Sequence, residues 1–309
     1  MILLTQMIIL FAMMMVGLIA KRRNLITEEG GKVLSAIVVN IANPALILSA
    51  SINKESVIEG RELLLVAGLS VCVYIFLMIV SRILVKILRM DDYSKSTYRV
   101  MTVFSNIGFM GFPLISATYG PQALLYASFF LIPYNVLIYT WGIRALTSNK
   151  DEAVKSDRKV DIRKILNIGV LSCVATIIIY IAKVPVPSVI ESIVTELSNL
   201  TAPLSMIVIG AYLSKLGIKK IISDKKLILF SVIKQIAIPI IGVLILKCIG
   251  IENILVNVCM VILATPVGSM TAMLSEQYEG DHELASKGVA LTTIMTVVTI
   301  PLVAYILGC

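Results

Sequence analysis

Charged residues, histidine and tryptophan are all scarce in this sequence, and their scarcity excludes several classes of protein. Charged side chains make up 15% of the 309 residues and hydrophobic ones 58%, whereas a soluble domain carries about a quarter charged residues. The composition therefore indicates an integral membrane protein. With one histidine, His282, and no acidic residue deep in an apolar run, the chain lacks the groups that hydrolysis or group transfer inside a membrane requires, so we expect no enzyme.

Metal, cofactor and nucleic-acid partners are not expected either. The five cysteines lie in or beside apolar runs, without the spacing of a metal site or a disulfide framework. The sequence has no phosphate-binding loop and no dinucleotide-binding glycine motif. The net charge of +8 comes from lysines and arginines in the joints between apolar runs, where it fits membrane topology better than a nucleic-acid surface.

Apolar runs of about twenty residues recur along the chain, and each is long enough to cross the hydrocarbon core of a bilayer as a helix. The short alternating segments that are typical of a membrane barrel do not occur. The sequence therefore predicts an all-α integral membrane fold. Its ten predicted spans are residues 2–20, 33–52, 63–87, 99–118, 122–146, 164–183, 188–213, 227–247, 254–277 and 284–307.

The basic residues between the spans predict the orientation of the chain. Lysine and arginine crowd the odd-numbered joints, beginning with Lys21, Arg22 and Arg23. By the positive-inside rule these joints face the cytoplasm, so both termini lie on the outer side of the cytoplasmic membrane. This orientation requires an even number of spans, and the ten predicted spans satisfy it.

The two halves of the chain share polar and helix-breaking residues at a constant offset. A mixed-charge linker at residues 147–163 separates a first repeat, 1–146, from a second, 164–309, each with five spans. A shift of 159 positions aligns Asn40 with Asn199, Pro44 with Pro203, Asn106 with Thr265 and Tyr119 with Tyr278. Because five is odd, the second repeat must be inverted in the membrane. Inverted repeats with helices broken at matching places are typical of secondary transporters, which bind substrate where the breaks meet.

The segment Ser105–Pro113 predicts a broken helix in span 4. Gly108 and Gly111 weaken a helix, and Pro113 removes a backbone donor. Lipid cannot satisfy the freed backbone groups, so the break must be buried in protein or line a wet cavity. Asn106 places an amide at the same depth, where it either binds a substrate carboxylate or forms an interhelical hydrogen bond. Half-helix N-termini at such a break suit an anionic group.

These residues resemble motifs of the auxin efflux carrier family, which includes the plant PIN-type exporters and many bacterial organic-acid permeases. The resemblance covers essentially the whole chain. It is carried by Asn106-Ile-Gly-Phe-Met110-Gly111-Phe-Pro113-Leu114, Thr265-Pro266-Val-Gly268, Glu276-Gln277-Tyr278 and Asn43-Pro44-Ala45. Ser105 departs from the plant motif, which has proline at this position, so the resemblance implies a small carboxylate as substrate rather than auxin.

The resemblance also implies a fold like that of bile-acid symporters and PIN proteins, in which the broken helices of spans 4 and 9 cross. A scaffold of spans 1, 2, 6 and 7, which often pairs into a homodimer, would hold a transport domain of spans 3–5 and 8–10. The transport domain of the family moves like an elevator. Crossing would bring Asn106 and Pro113 near Thr265 and Pro266.

The candidate site residues fall into two groups. The substrate-binding candidates are Asn106, Ser105, Pro113, Thr265, Pro266, Ser269, Asn43, Asn135, Tyr134 and Lys234; the candidates for helix breaking or gating are Gly108, Gly111, Pro44, Pro203 and Gly268. The hydroxyls either bind substrate or bond to local backbone, and the prolines bend helices around the site or kink them without ligand contact. Lys234 either faces the interior and attracts an anion or extends to the membrane boundary.

The sequence favours a secondary transporter that moves small organic anions, with a proton or sodium gradient as the candidate driving force. A sodium-coupled symporter of the bile-acid type shares the same plan. It calls for deep acidic or amide ligands, of which the sequence has only the amides. A channel, or a membrane sensor that has lost transport, is a further alternative, and the sequence leaves the substrate and the direction of transport open.

Overall fold

The computed structural model describes residues 2–52, 60–147, 165–214, 224–251, 254–278 and 280–308. Within these ranges the regular structure is helical, apart from one isolated antiparallel bridge between Ser105 and Val267. Seven of the described helical stretches are long and apolar enough to cross a membrane, and two shorter helices are also apolar. The protein is thus built as a multi-pass membrane protein. The predicted linker lies, apart from Thr147, outside the described residues.

The first part of the chain combines α-helices with π-helical turns, which are wider than an α-helix and are frequent at functional sites. The α-helices are α1 (Ile2–Arg22), α2 (Glu28–Ile37), α3 (Asn43–Ile52), α4 (Gly60–Ile87), α5 (Lys95–Val103), α6 (Phe112–Leu137) and α7 (Ile143–Leu146). The π-helical turns are Val38–Ala42 between α2 and α3, Ile107–Gly111 before α6, and Ile138–Gly142 between α6 and α7.

The second part of the chain follows a similar scheme. Its α-helices are α8 (Ile168–Ala182), α9 (Ser188–Asn199), α10 (Thr201–Leu213), α11 (Lys225–Val232), α12 (Ile238–Cys248), α13 (Ile254–Ala264), α14 (Ser269–Gln277) and α15 (His282–Leu307). A π-helical turn, Ile233–Ala237, joins α11 to α12. Asn167, Asp224 and Asp281 cap the starts of α8, α11 and α15, because their side-chain oxygens accept backbone N–H groups that have no partner within the helix.

Two of the predicted spans are interrupted. In the span predicted at 99–118, α5 ends at Val103, residues 104–106 leave the helical conformation, and the helix resumes at Ile107. In the span predicted at 254–277, α13 ends at Ala264 and α14 begins at Ser269. Broken helices therefore occur in both segments where the sequence predicts them.

The position of the first break differs from the expected one. Gly108 and Gly111 lie inside the π-helical turn that follows the break, and Pro113 lies in the first turn of α6. Helices tolerate proline in their first turn because its missing N–H would have no intrahelical partner there. The helix consequently opens N-terminal to the glycines and the proline. Gly268 does lie in the second break, with an extended backbone just before α14.

The other predicted helix-breaking residues also fall near helix starts. Pro44 is the second residue of α3, directly after a π-helical turn, and Pro203 is the third residue of α10. Gly120 separates the spans predicted at 99–118 and 122–146, because its φ of +79° lies in the left-handed region that favours glycine. Pro121 follows it, and the helical chain changes direction there.

Helices α1 and α10 pack with their backbones in direct contact. A Cβ atom built on Gly210 would lie 1.9 Å from the carbonyl oxygen of Met14, and one built on Gly17 would lie 2.2 Å from that of Ile207. Backbone therefore touches backbone at two places along this pair. Small residues permit such an approach, which is a common basis of helix association in membranes.

This packing predicts that Gly210→Ala destabilises the protein. The added methyl group would overlap the Met14 carbonyl and force α1 and α10 apart, which costs about 1–3 kcal/mol in a well-packed interior. Gly68→Ala in α4 is the matched control, since a Cβ there meets no atom within 4 Å. Thermal unfolding of the purified protein in detergent should show a lower Tm for Gly210→Ala only. Equal melting temperatures for the two variants would contradict the contact.

Candidate functional site

The two helix breaks meet and satisfy each other's backbone groups. The Asn106 N–H donates to the Pro266 carbonyl at 2.8 Å, and the Gly268 N–H donates to the Phe104 carbonyl at 2.9 Å. A Cβ atom on Gly268 would lie 3.1 Å from the Ser105 carbonyl oxygen, so a larger residue would crowd this contact. The breaks thus form a short antiparallel bridge inside the helical bundle.

Lys234 binds directly to this bridge. Its side chain is 0% exposed, so it does not extend to the membrane boundary. Its ammonium group donates to the Ser105 hydroxyl at 2.8 Å, to the Leu263 carbonyl at 3.1 Å and to the Thr265 carbonyl at 3.3 Å. No carboxylate in the described part of the chain pairs with it. The C-terminal end of α13, which carries partial negative charge, thereby binds the buried Lys234 amino group.

A second polar contact supports the same bridge from α15. The buried Gln235 amide donates to the Thr292 carbonyl at 2.7 Å, and the Thr292 hydroxyl accepts the Val267 N–H at 3.0 Å. The Gln235 carbonyl oxygen is buried without a hydrogen-bond partner. Together, Lys234 and Gln235 connect the π-helical turn Ile233–Ala237 to both breaks, so one irregular segment of span 8 positions the whole crossing.

The partly exposed side of the crossing consists of two helix starts. Gly108 and Phe109 at the beginning of one helix and Ser269 at the beginning of α14 are partly exposed, whereas the residues of the breaks themselves are buried. The Asn106 side-chain oxygen accepts the Phe109 N–H at 3.3 Å and so caps the first of these helices. Helix starts present unpaired N–H groups and the positive end of the helix dipole, which suits an anion.

Asn43 of α3 approaches this partly exposed side. Its amide nitrogen lies 3.4 Å from the position of a Cβ atom on Gly108, so a side chain at Gly108 would touch it. Asn43 is 8% exposed, and its carbonyl oxygen is buried without a hydrogen-bond partner. The structure therefore brings together, at one place, Asn43 and Asn106 from two distant parts of the sequence.

Several other predicted site residues lie nearby, where they contact other groups of the protein. The Asn135 carbonyl accepts the Asn167 amide at 2.6 Å, and its own amide donates to the Leu131 carbonyl. Tyr134 packs edge-on against Phe104, with ring centres 5.4 Å apart. Thr265 donates its hydroxyl to the Ile262 carbonyl at 2.8 Å. Pro113 is buried, and Pro266 supplies a bridging carbonyl.

A polar cavity of about 200 Å³ lies at the starts of α5, α11 and α15 rather than at the crossing. Its lining includes Asp91, Asp224, Asp281, Tyr98 and Lys226. Hydrogen bonds from Ser94 hold the pKa of the Asp91 carboxyl below its ordinary value. The Tyr98 ring packs edge-on against that of Phe230, with centres 4.9 Å apart, and Phe230 is about one helical turn from Lys234.

Sequence reasoning missed three residues of this arrangement. Gln235 and Thr292 hold the second break, and Asn167 binds Asn135 across the predicted linker. The polar pair at positions 234–235 inside an apolar run was a visible signal for Gln235. Thr292 belongs to a run of threonines at near-helical spacing in α15, but nothing in the sequence connects Asn167 with Asn135.

Comparison with known proteins shows the family of this chain. The family described as Membrane transport protein matches residues 2–304. An uncharacterized transporter of Methanocaldococcus jannaschii is 27% identical over 308 residues, which cover 97% of each chain. An uncharacterized transporter of Methanothermobacter thermautotrophicus is 20% identical over 295 residues, which cover 96% of this chain and 95% of its own. The resemblance carried by the Asn106–Pro113 motif is thereby confirmed, and the chain belongs to the membrane transport proteins of the auxin efflux carrier family.

Proposed function

We propose that the protein is a secondary transporter that carries small organic anions across the cytoplasmic membrane. The observation that carries this proposal is the buried ammonium group of Lys234 at the crossing, bound by a hydroxyl and two carbonyls and by no carboxylate of the described residues. A buried cation without an anionic partner is costly in a low-dielectric interior. An anion that binds at the crossing would lower this cost.

The partly exposed helix starts support the same chemistry. The helix starts at Gly108 and Ser269 are partly exposed and carry no acidic residue in their first turns, and the Asn106 side chain lies at the first of them. A carboxylate offers acceptor oxygens only, so it matches a site built from donors and positive dipole ends. We therefore assign substrate binding to Asn106, Asn43 and the two helix starts, with Lys234 as the electrostatic support behind them.

The proposed movement is of the elevator type. The tight pair of α1 and α10 fits a scaffold, as the family resemblance implies, while α5, α6, α13 and α14 share the crossing and would move together. Asn43 would contact the substrate from the scaffold side, opposite Gly108. The inverted repeat, the homodimer through the scaffold and the outward-facing termini belong to this proposal as well.

A sodium-coupled symporter is the less favoured alternative. Sodium requires several oxygen ligands, and the Lys234 ammonium already binds the carbonyl oxygens of Leu263 and Thr265 at the crossing. These contacts favour transport without sodium, because the Lys234 side chain already occupies the oxygen ligands that a coupling sodium ion would need.

The substrate class can be tested by thermal-shift measurements on the purified protein with dicarboxylates, keto acids and indole acids, each with and without sodium. We expect at least one carboxylate to raise the Tm, because a ligand that binds the folded state stabilises it. Sodium should leave that shift unchanged. If no carboxylate shifts the Tm and none is carried into proteoliposomes under any gradient, the anion-transporter proposal is wrong.

Asn106→Ala should lower the flux of the stabilising carboxylate at least about tenfold, since a hydrogen bond to a charged group contributes about 1.5–3 kcal/mol. Asn40→Ala is the matched control, because the Asn40 amide is exposed and donates to the carbonyl of Ala36, four residues earlier in the chain. Uptake into proteoliposomes and the Tm of each variant should be measured together. Unchanged uptake in Asn106→Ala would remove this amide from the site.

Lys234→Gln should weaken carboxylate affinity about thirtyfold or more, since loss of one partner of a buried charged pair costs at least about 2 kcal/mol. The matched control is Lys247→Gln, a lysine that donates to the Leu307 carbonyl away from the crossing. Isothermal titration gives the Kd for each variant. An equal Kd in Lys234→Gln and the parent, or uptake that requires sodium, would contradict the role of the lysine charge.

A further inference from the structure

Two arginines on neighbouring helices lie together without an anionic partner. Arg82 lies in α4 and Arg99 in α5, two helices that pack against each other closely enough for the two like charges to repel. In the described part of the chain, no carboxylate lies within ion-pairing distance of either guanidinium. Two like charges repel at close range unless an anion lies between them. The two arginines thus lack the anion that would complete an ion pair.

Arg99 is fixed in this position by Trp141. The guanidinium carbon of Arg99 lies 5.3 Å from the centre of the tryptophan ring, which is a cation–π contact. The Arg99 Nε atom is buried and has no hydrogen-bond partner. A buried N–H without an acceptor is destabilising. Trp141 therefore orients a guanidinium group that still lacks an acceptor for one of its donors.

The three residues lie at similar distances from helix ends. Arg82 is five residues before the end of α4, Arg99 is four residues after the start of α5, and Trp141 lies in the π-helical turn before α7, five residues before the end of that helix. At 1.5 Å per residue, each lies about 6–8 Å inside its helix end. Arginine and tryptophan at this depth are typical of the boundary between headgroups and acyl chains. By the predicted orientation this is the cytoplasmic boundary.

We propose that Arg82, Arg99 and Trp141 form a binding site for the phosphate of an anionic lipid headgroup. Guanidinium groups bind phosphate oxygens in a fixed fork geometry, and neither arginine has a carboxylate partner among the described residues. Arg82 is exposed, and the neighbouring Ile79 and Ile83 are 52% and 51% exposed, so acyl chains can lie along α4 beside the headgroup. This apolar border favours a lipid over soluble phosphate, and the site is independent of the transported substrate.

The test compares the full-length protein with Arg82→Gln, Arg99→Gln and the double variant in neutral nanodiscs. Phosphatidylglycerol retained by the protein is measured by native mass spectrometry, with phosphatidylcholine, whose zwitterionic headgroup has no net charge, as the reference. We expect phosphatidylglycerol affinity to fall about fivefold for each arginine removed and more than about twentyfold for the double variant. Arg144→Gln, an exposed arginine near the end of α7, is the matched control and should change affinity less than about twofold.

Equal phosphatidylglycerol binding by the parent and the double variant would overturn the proposal, as would binding of phosphatidylcholine with the same affinity. Inorganic phosphate is the competing probe: displacement of the lipid by millimolar phosphate would assign the site to soluble phosphate instead. If Arg99→Gln fails to fold, Arg82→Gln remains decisive because its side chain is exposed. Arg99→Lys, which keeps the charge and loses the fork, should recover part of the lost affinity.

Discussion

Two backbone hydrogen bonds between the helix breaks are the constraint on which the interior depends. A broken helix in a membrane exposes amides and carbonyls that lipid cannot satisfy, and each unsatisfied group costs several kcal/mol. Here the Asn106 N–H and the Gly268 N–H each find a carbonyl in the other break. Because each break completes the other, neither can straighten alone. The four half-helices around the crossing are therefore joined into one structural unit.

Lys234 contacts the C-terminal helix end at the crossing but not the helix starts. The C-terminal end of α13 is bound from within the protein by the Lys234 amino group, through the carbonyls of Leu263 and Thr265. The helix starts at Gly108 and Ser269 receive no such compensation from an acidic side chain in the described ranges. The negative end of the α13 dipole is thus compensated within the protein, whereas the positive ends at Gly108 and Ser269 remain available to a ligand. This division follows from one lysine located in a π-helical turn.

The sequence predicted the interrupted spans and the polar residues near them, but not the position of the first break. Single-residue helix propensities of Gly108 and Gly111 amount to about 1 kcal/mol each, and the long-range bridge to Pro266 and Gly268 outweighs them. Whether Lys234 faced the interior depended on partners about thirty and 129 positions away. The contact between Asn135 and Asn167 could not be predicted from the sequence either, because the two residues lie on opposite sides of the linker and no motif connects them.

Trp141 gives the protein a built-in optical reporter. It is the single tryptophan of the chain, so tryptophan fluorescence, excited at the long-wavelength edge of the protein's absorption band, comes from one position. Its ring contacts the Arg99 guanidinium on one side and Phe104, the first residue of the helix break, on the other, with ring centres 6.0 Å apart. Emission wavelength and quenching therefore report on headgroup occupancy and on rearrangement of the crossing without any attached dye.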